Sequence, residues 1–178
     1  GRKLFTVPTL DSKSIVKGDL EVSADWNLVF GKGRWVVNNE NHFAGKGALA
    51  LTPASDQEMV IRLILPEVRI ERKSYLVMCW GGHRPGANNW EGSISVPVLG
   101  FTLPGVPEHT FPVLMGRVNQ GMKFDVSDSA DPYEADWAIG ALMGIIPGGN
   151  YNFSITLKAL AGKPVLYDGL NLFLLEMG

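Results

Sequence analysis

Apolar and polar residues alternate in short runs along this chain: "EMVIRLILP" at 58–66, "SYLVMCW" at 74–80, "YNFSITLKAL" at 151–160 and "PVLYDGLNLFLLE" at 164–176. A period of two with β-branched and aromatic enrichment predicts strands with one buried face. Helical periodicity is weak. The run "ADWAIGALMGII" reads as a short helix by composition, but its glycines and the following "PGGN" turn predict strand or extended structure. The 21 Gly and 11 Pro are spread between the apolar runs as turn punctuation. The expectation is an all-β fold, a two-sheet antiparallel β-sandwich. Residues 81–132 break the pattern with "GGHRPGANNWEG", "LGFTLPGVPEHTFP" and "DVSDSADPYEAD", and long irregular stretches of this kind are where binding specificity resides.

Composition narrows the function classes. At 178 residues the chain is long enough for one substantial core. It opens on Gly1 rather than Met, and it reads as one domain, residues 1–178, excised from a larger protein. A net charge of −2 with scattered Lys and Arg gives no basic footprint for nucleic acid or an anionic membrane. No run reaches the roughly 18 apolar residues of a membrane span. Cys79 is the only cysteine; it lies in an apolar run and reads as a small hydrophobe rather than a reactive thiol.

Three segments in order carry a resemblance: "KGDLEVSADWNLVFGKGRWVV", then "HFAGKGALALTP" with "EMVIRLILP" and "SYLVMCW", and finally "YNFSITLKALAGKPVLYDGLNLFLLE". Together they resemble the galactose-binding-domain-like jelly roll shared by many carbohydrate-binding modules, over about two thirds of the chain. The resemblance implies that the first and last strands pair and bring "DLE" close to "YDG". It also implies a structural calcium held by the carboxylates of Glu21 and Asp168 and by backbone carbonyls of Lys46 and Gly47, a hard-oxygen set that suits this ion. Asp19 is an alternative to Glu21, because one residue of register turns a strand side chain to the other face. This chain has Gly169 where the family carries a second acid, and Leu20 where it carries an aromatic. A cation answers an energetic problem, since an acid in an apolar strand costs several kcal/mol to bury uncompensated; the other reading places Asp168 in a turn or against a surface lysine.

The ligand face is expected in the two polar loops. Sugar recognition uses flat aromatic faces and planar amide or guanidinium groups. "HRPGANNW" supplies His83, Arg84, Asn88, Asn89 and Trp90, and "DPYEADW" supplies Tyr133 and Trp137 with Glu134 and Asp136. Trp26 and Trp35 flank the first hairpin and read as core; Trp80 reads as core or cleft edge. The acidic run from Asp125 to Asp136 lacks the spacing of an EF-hand loop and reads as a solvated segment. No nucleophile elbow, zinc-protease helix motif or phosphate loop occurs, and His42, His83 and His109 lack metal-ligand spacing. Asn152 in "NFS" matches a glycosylation acceptor but falls on an expected strand.

These readings converge on a non-catalytic, secreted or cell-surface module (extracellular or periplasmic) that binds a glycan or polysaccharide, with other domains of the same protein as further partners. Two alternatives stand beside it: a structural module that packs against a catalytic domain or partner protein without binding sugar, and a jelly-roll lyase or glycosidase, which requires acids converging in a cleft.

Overall fold

The computed structural model describes residues 12–18, 25–38, 47–85, 94–95, 97–103, 106–110, 117–119 and 138–176. They form thirteen strands and no helix: β1 (Ser12–Gly18), β2 (Trp26–Gly31), β3 (Gly33–Asn38), β4 (Ala48–Pro53), β5 (Met59–Ile64), β6 (Val68–Ile70), β7 (Ser74–His83), β8 (Val98–Leu103), β9 (Val106–Thr110), β10 (Arg117–Asn119), β11 (Ala138–Ile146), β12 (Gly149–Ala159) and β13 (Val165–Glu176). One sheet has the order β10-β11-β7-β13-β4-β3, with β1 also paired to β13; the other has β2-β5-β12-β8-β9, with β6 paired to β12. Every ladder is antiparallel. The chain is an all-β sandwich.

Alternation explains which residues fill it. On β7, Leu76, Met78 and Trp80 are fully or almost fully buried while Tyr75, Val77 and Cys79 between them are half-buried. On β12, Phe153, Ile155 and Leu157 line the same interior from the opposite sheet. Trp26 and Trp80 are core residues and Trp35 packs against the core, as the sequence leads one to expect. The run "ADWAIGALMGII" contributes β11, a strand rather than a helix.

Two expectations change. Gly81 and Gly82 do not break the strand at Trp80; β7 runs on to His83. Glycine serves close packing there, because a Cβ on Gly82 would lie 2.8 Å from the Ile94 Cγ2 atom. The stretch 81–132 is also less irregular than its Gly and Pro content suggests, since β8, β9 and β10 fall inside it. Their pairings are long-range: β8 joins β12 some fifty residues away, a contact no local pattern announces.

Strand β13 holds the fold together. Its partner on one side is β7 along nearly its whole length; on the other side β4 pairs Val165–Tyr167 and β1 pairs Leu170–Leu175. The first and last described strands therefore pair, as the resemblance implies, and no other described strand pairs β1. The ladder with β7 shifts between Asp168 and Asn171, and Gly169 has φ +59°, the left-handed conformation that a glycine-initiated bulge requires. The extra residue reverses the alternation. Val165 and Tyr167 before it, and Leu170, Leu172 and Leu174 after it, are all buried hydrophobics of one core.

Candidate functional site

The bulge resolves the place of Asp168 in an apolar strand. Tyr167 points into the interior, where its hydroxyl meets a carbonyl of the opposite sheet, so Asp168 lies on the face turned away from that core, opposite Gly81. It is nonetheless fully buried. The Gly169 N–H donates to its Oδ1 at 2.7 Å, and a bond of this kind to a charged acceptor is worth about 1.5–3 kcal/mol. The Asn171 side-chain amide donates to the Gly169 carbonyl at 2.9 Å and braces the same turn.

Asp168 and Gly169 also mark the point where β13 changes neighbours. The β4 ladder ends with Leu49 opposite Tyr167, two residues after Gly47. The β1 ladder ends with Gly18 opposite Leu170. The described ends of two segments thus flank this point of β13: Gly18, the last residue of β1, and the buried Gly47 just ahead of β4. Asp19, Glu21 and Lys46 themselves lie outside the described residues. Among the described residues no three His, Cys, Asp or Glu side chains form a metal cluster.

The second candidate region is one end of the sandwich. Strand β7 finishes there at His83 and β11 begins there at Ala138, and the two are adjacent, with Ala138 opposite Gly82. In sequence, Asn88, Asn89 and Trp90 come shortly after β7, and Tyr133 and Trp137 shortly before β11; these five residues lie outside the described ones. Arg84 is half-buried just past β7. His83 differs from its expected place in a loop: it is the last residue of β7, opposite Leu166, and fully buried. It shares the outward face with Asp168 and serves the base of the loop rather than its surface.

Sequence reasoning missed what fixes this end. Ile94 is buried against Gly82, and the Tyr167 hydroxyl lies 2.9 Å from the Ser95 carbonyl and 2.8 Å from the Lys158 carbonyl. A single O–H is shared between the two, and it ties the far end of the loop to both sheets. The signal available was the apolar alternation in "SISV", hidden within a polar stretch. Turns at the same end are cross-linked through backbone bonds, with the Gly162 N–H donating to the Ala54 carbonyl at 2.8 Å and the Ala54 N–H to the Lys32 carbonyl at 2.9 Å. Cys79 is half-buried, and burial pushes its thiol above the usual range, away from the thiolate that reactive cysteines need.

No family model matches this chain, and no curated protein matches it. Solved structures do. The CBM22-1 xylan-binding domain from Paenibacillus barcinonensis Xyn10C superposes with a TM-score of 0.53 at 15% identity, covering 94% of this chain and 97% of that one. The CBM22-1 and GH10 modules of Clostridium thermocellum Xyn10B, complexed with xylohexaose, match with a TM-score of 0.52 at 9% identity, over 89% of this chain and 28% of that one. The enzymatically active domain of bacteriophage CBA120 tailspike protein 4 matches with a TM-score of 0.53 at 11% identity, over 89% of this chain and 21% of that one. At such identities the likeness is one of fold. This chain has the jelly-roll β-sandwich fold found in carbohydrate-binding modules.

Proposed function

We propose that this domain is a non-catalytic carbohydrate-binding module that recognises a glycan or polysaccharide through loop aromatics and polar side chains, on a scaffold stiffened by calcium. The observation that carries the reading is the shared anchorage of the two candidate loops on adjacent strands β7 and β11, at the end pinned by Ile94 and Tyr167. A solved domain of this fold that binds xylan supports the ligand class, as does the solved pair of CBM22-1 and GH10 modules complexed with xylohexaose. In this reading Trp90 and Trp137 stack on pyranose faces, while Arg84, Asn88, Asn89 and Tyr133 bond hydroxyls. A shallow loop site buries little area, so affinity is modest. The module acts outside the cell, beside other domains of its parent protein.

In this reading Asp168, Glu21 and the backbone carbonyls of Lys46 and Gly47 would hold the calcium. It supplies fixed positive charge and no chemistry. The support is the convergence of the β1 and β4 ends on the one buried carboxylate of β13.

The test is a panel of soluble and insoluble polysaccharides, with Trp90→Ala and Trp137→Ala run alongside the unaltered domain. Binding to one glycan class that either substitution weakens at least about tenfold is the expected result, since a buried aromatic anchor is worth at least that much. Absence of binding across the panel overturns the reading and leaves the domain as an interaction module.

A further inference from the structure

Strands β2 and β3 form one margin of the sandwich, and it is unusually apolar. Leu28, Val29 and Phe30 on β2 are 41%, 46% and 57% exposed, and Val36 on β3 is 50% exposed. These are four of the seven large hydrophobic side chains exposed among the described residues, and three of them are consecutive. Strand β2 ends its sheet: β5 pairs it on one side, and no strand among the described residues pairs the other. Natural edge strands are blunted by lysine, proline or bulges, because an open edge is a template for another strand. Strand β2 has a bulge between Leu28 and Phe30, yet from Trp26 to Gly31 it has neither charge nor proline. The bulge turns an additional valine to solvent.

The charges stand at its two ends. Asp25 precedes the strand, Lys32 follows it, and both are exposed. This polarity is self-complementary. If β2 pairs antiparallel with a second copy of itself about a two-fold axis between Leu28 and Val29, Leu28 faces the partner's Val29 and Asn27 the partner's Phe30. Asp25 then faces the partner's Lys32, and symmetry forms that ion pair twice. Because each strand carries its extra residue at the same place, the bulges oppose one another and the register beyond them stays matched. A two-fold contact of this kind closes on itself and builds a dimer rather than a filament.

We propose that β2 is a homotypic docking edge through which two copies of this chain join their six-stranded sheets, closed at both ends by Asp25–Lys32 pairs. One strand pair with its flanking side chains lies at the small end of specific interfaces, below about 1,200 Å² in total, so association is expected in the micromolar range. The proposal does not depend on the glycan reading.

Sedimentation velocity over about 1 to 500 µM tests it, the range being set by that expected affinity. The unaltered chain should pass from monomer to dimer with rising concentration. Asp25→Lys sets two lysines against two lysines and should weaken the dimer at least about tenfold, as like-charge juxtaposition does. The double variant Asp25→Lys with Lys32→Asp restores opposite charges at both ends and should recover the dimer. Val29→Lys, a charge at the centre of the edge, should abolish it. All altered positions are exposed, and matched melting curves establish that the variants fold. A chain that is monomeric throughout overturns the proposal, as does a dimer indifferent to Asp25→Lys or one that the double reversal fails to restore.

Discussion

Replacing Tyr167 by Phe removes one oxygen from the centre of the molecule and tests two consequences of its burial. The hydroxyl is fully buried and shared between the Ser95 and Lys158 carbonyls at 2.9 and 2.8 Å. Deleting it removes the bridge between them, at a cost of about 1–3 kcal/mol. For a domain of this size each kcal/mol lowers the melting temperature by roughly 2–4 °C, so about 4–8 °C is expected at pH 8 for a mid-range loss. The second consequence appears in alkali. Burial pushes the Tyr167 phenol above its ordinary value, whereas in the unfolded chain it ionises near pH 10, a value of about 10 being usual for tyrosine. Below pH 10 this stabilisation of the neutral form is fully present. Above pH 10 the unfolded state binds fewer protons than the folded one, so stability falls as pH rises toward the folded-state value, by up to about 1.4 kcal/mol per pH unit. Phenylalanine has no such group. The stability gap between the two proteins should therefore narrow by about 1.4 kcal/mol between pH 8 and pH 11. Urea unfolding followed by tryptophan fluorescence at stepped pH reads both effects. Equal stability at pH 8 would refute the bridging role, and a gap that stays constant up to pH 11 would refute the buried neutral phenol.

Two further outcomes are expected. Gly140→Ala places a Cβ inside the space held by the Trp80 indole, its register partner, and overpacking should cost about 1–3 kcal/mol; an unshifted denaturation midpoint would show that the two strands separate more easily than their packing implies. Treatment with a chelator should lower the melting temperature of the unaltered domain and added calcium should restore it, as for any ligand bound only by the folded state, with about 2.7 kcal/mol at a hundredfold excess over Kd. Asp168→Asn keeps an acceptor for the Gly169 N–H and should abolish that response; a chelator-insensitive unaltered protein with no metal after purification removes the calcium site from the account.

Much of the strand content was legible because alternation is a local property. "SYLVMCW" and "YNFSITLKAL" declare which of their residues are buried whatever partners they find, and β7 and β12 bury those residues. Trp26 and Trp35 read as core because tryptophan is highly buried on average. What misled was glycine. In "WGG" and "AIGA" it looks like punctuation, but Gly82 and Gly140 are glycine because Ile94 and Trp80 occupy the space where a side chain would stand. That requirement comes from residues twelve and sixty positions away along the chain, and no window of sequence contains it.

The site divides along the same line. The chemistry on offer was visible: Trp90 and Trp137 in polar loops, paired amides, an acid in a strand. The sequence by itself determined an all-β chain, its main strands, its lack of a basic footprint and its single cysteine, since these follow from composition and from a period of two. Only the tertiary structure decided that β7 and β11 lie side by side, that β13 exchanges β4 for β1 at Asp168, and that Tyr167 ties a loop to both sheets. Sheet pairing is a long-range choice made by side-chain packing between distant strands. Alternation tells each strand which face to bury but not which neighbour will bury it.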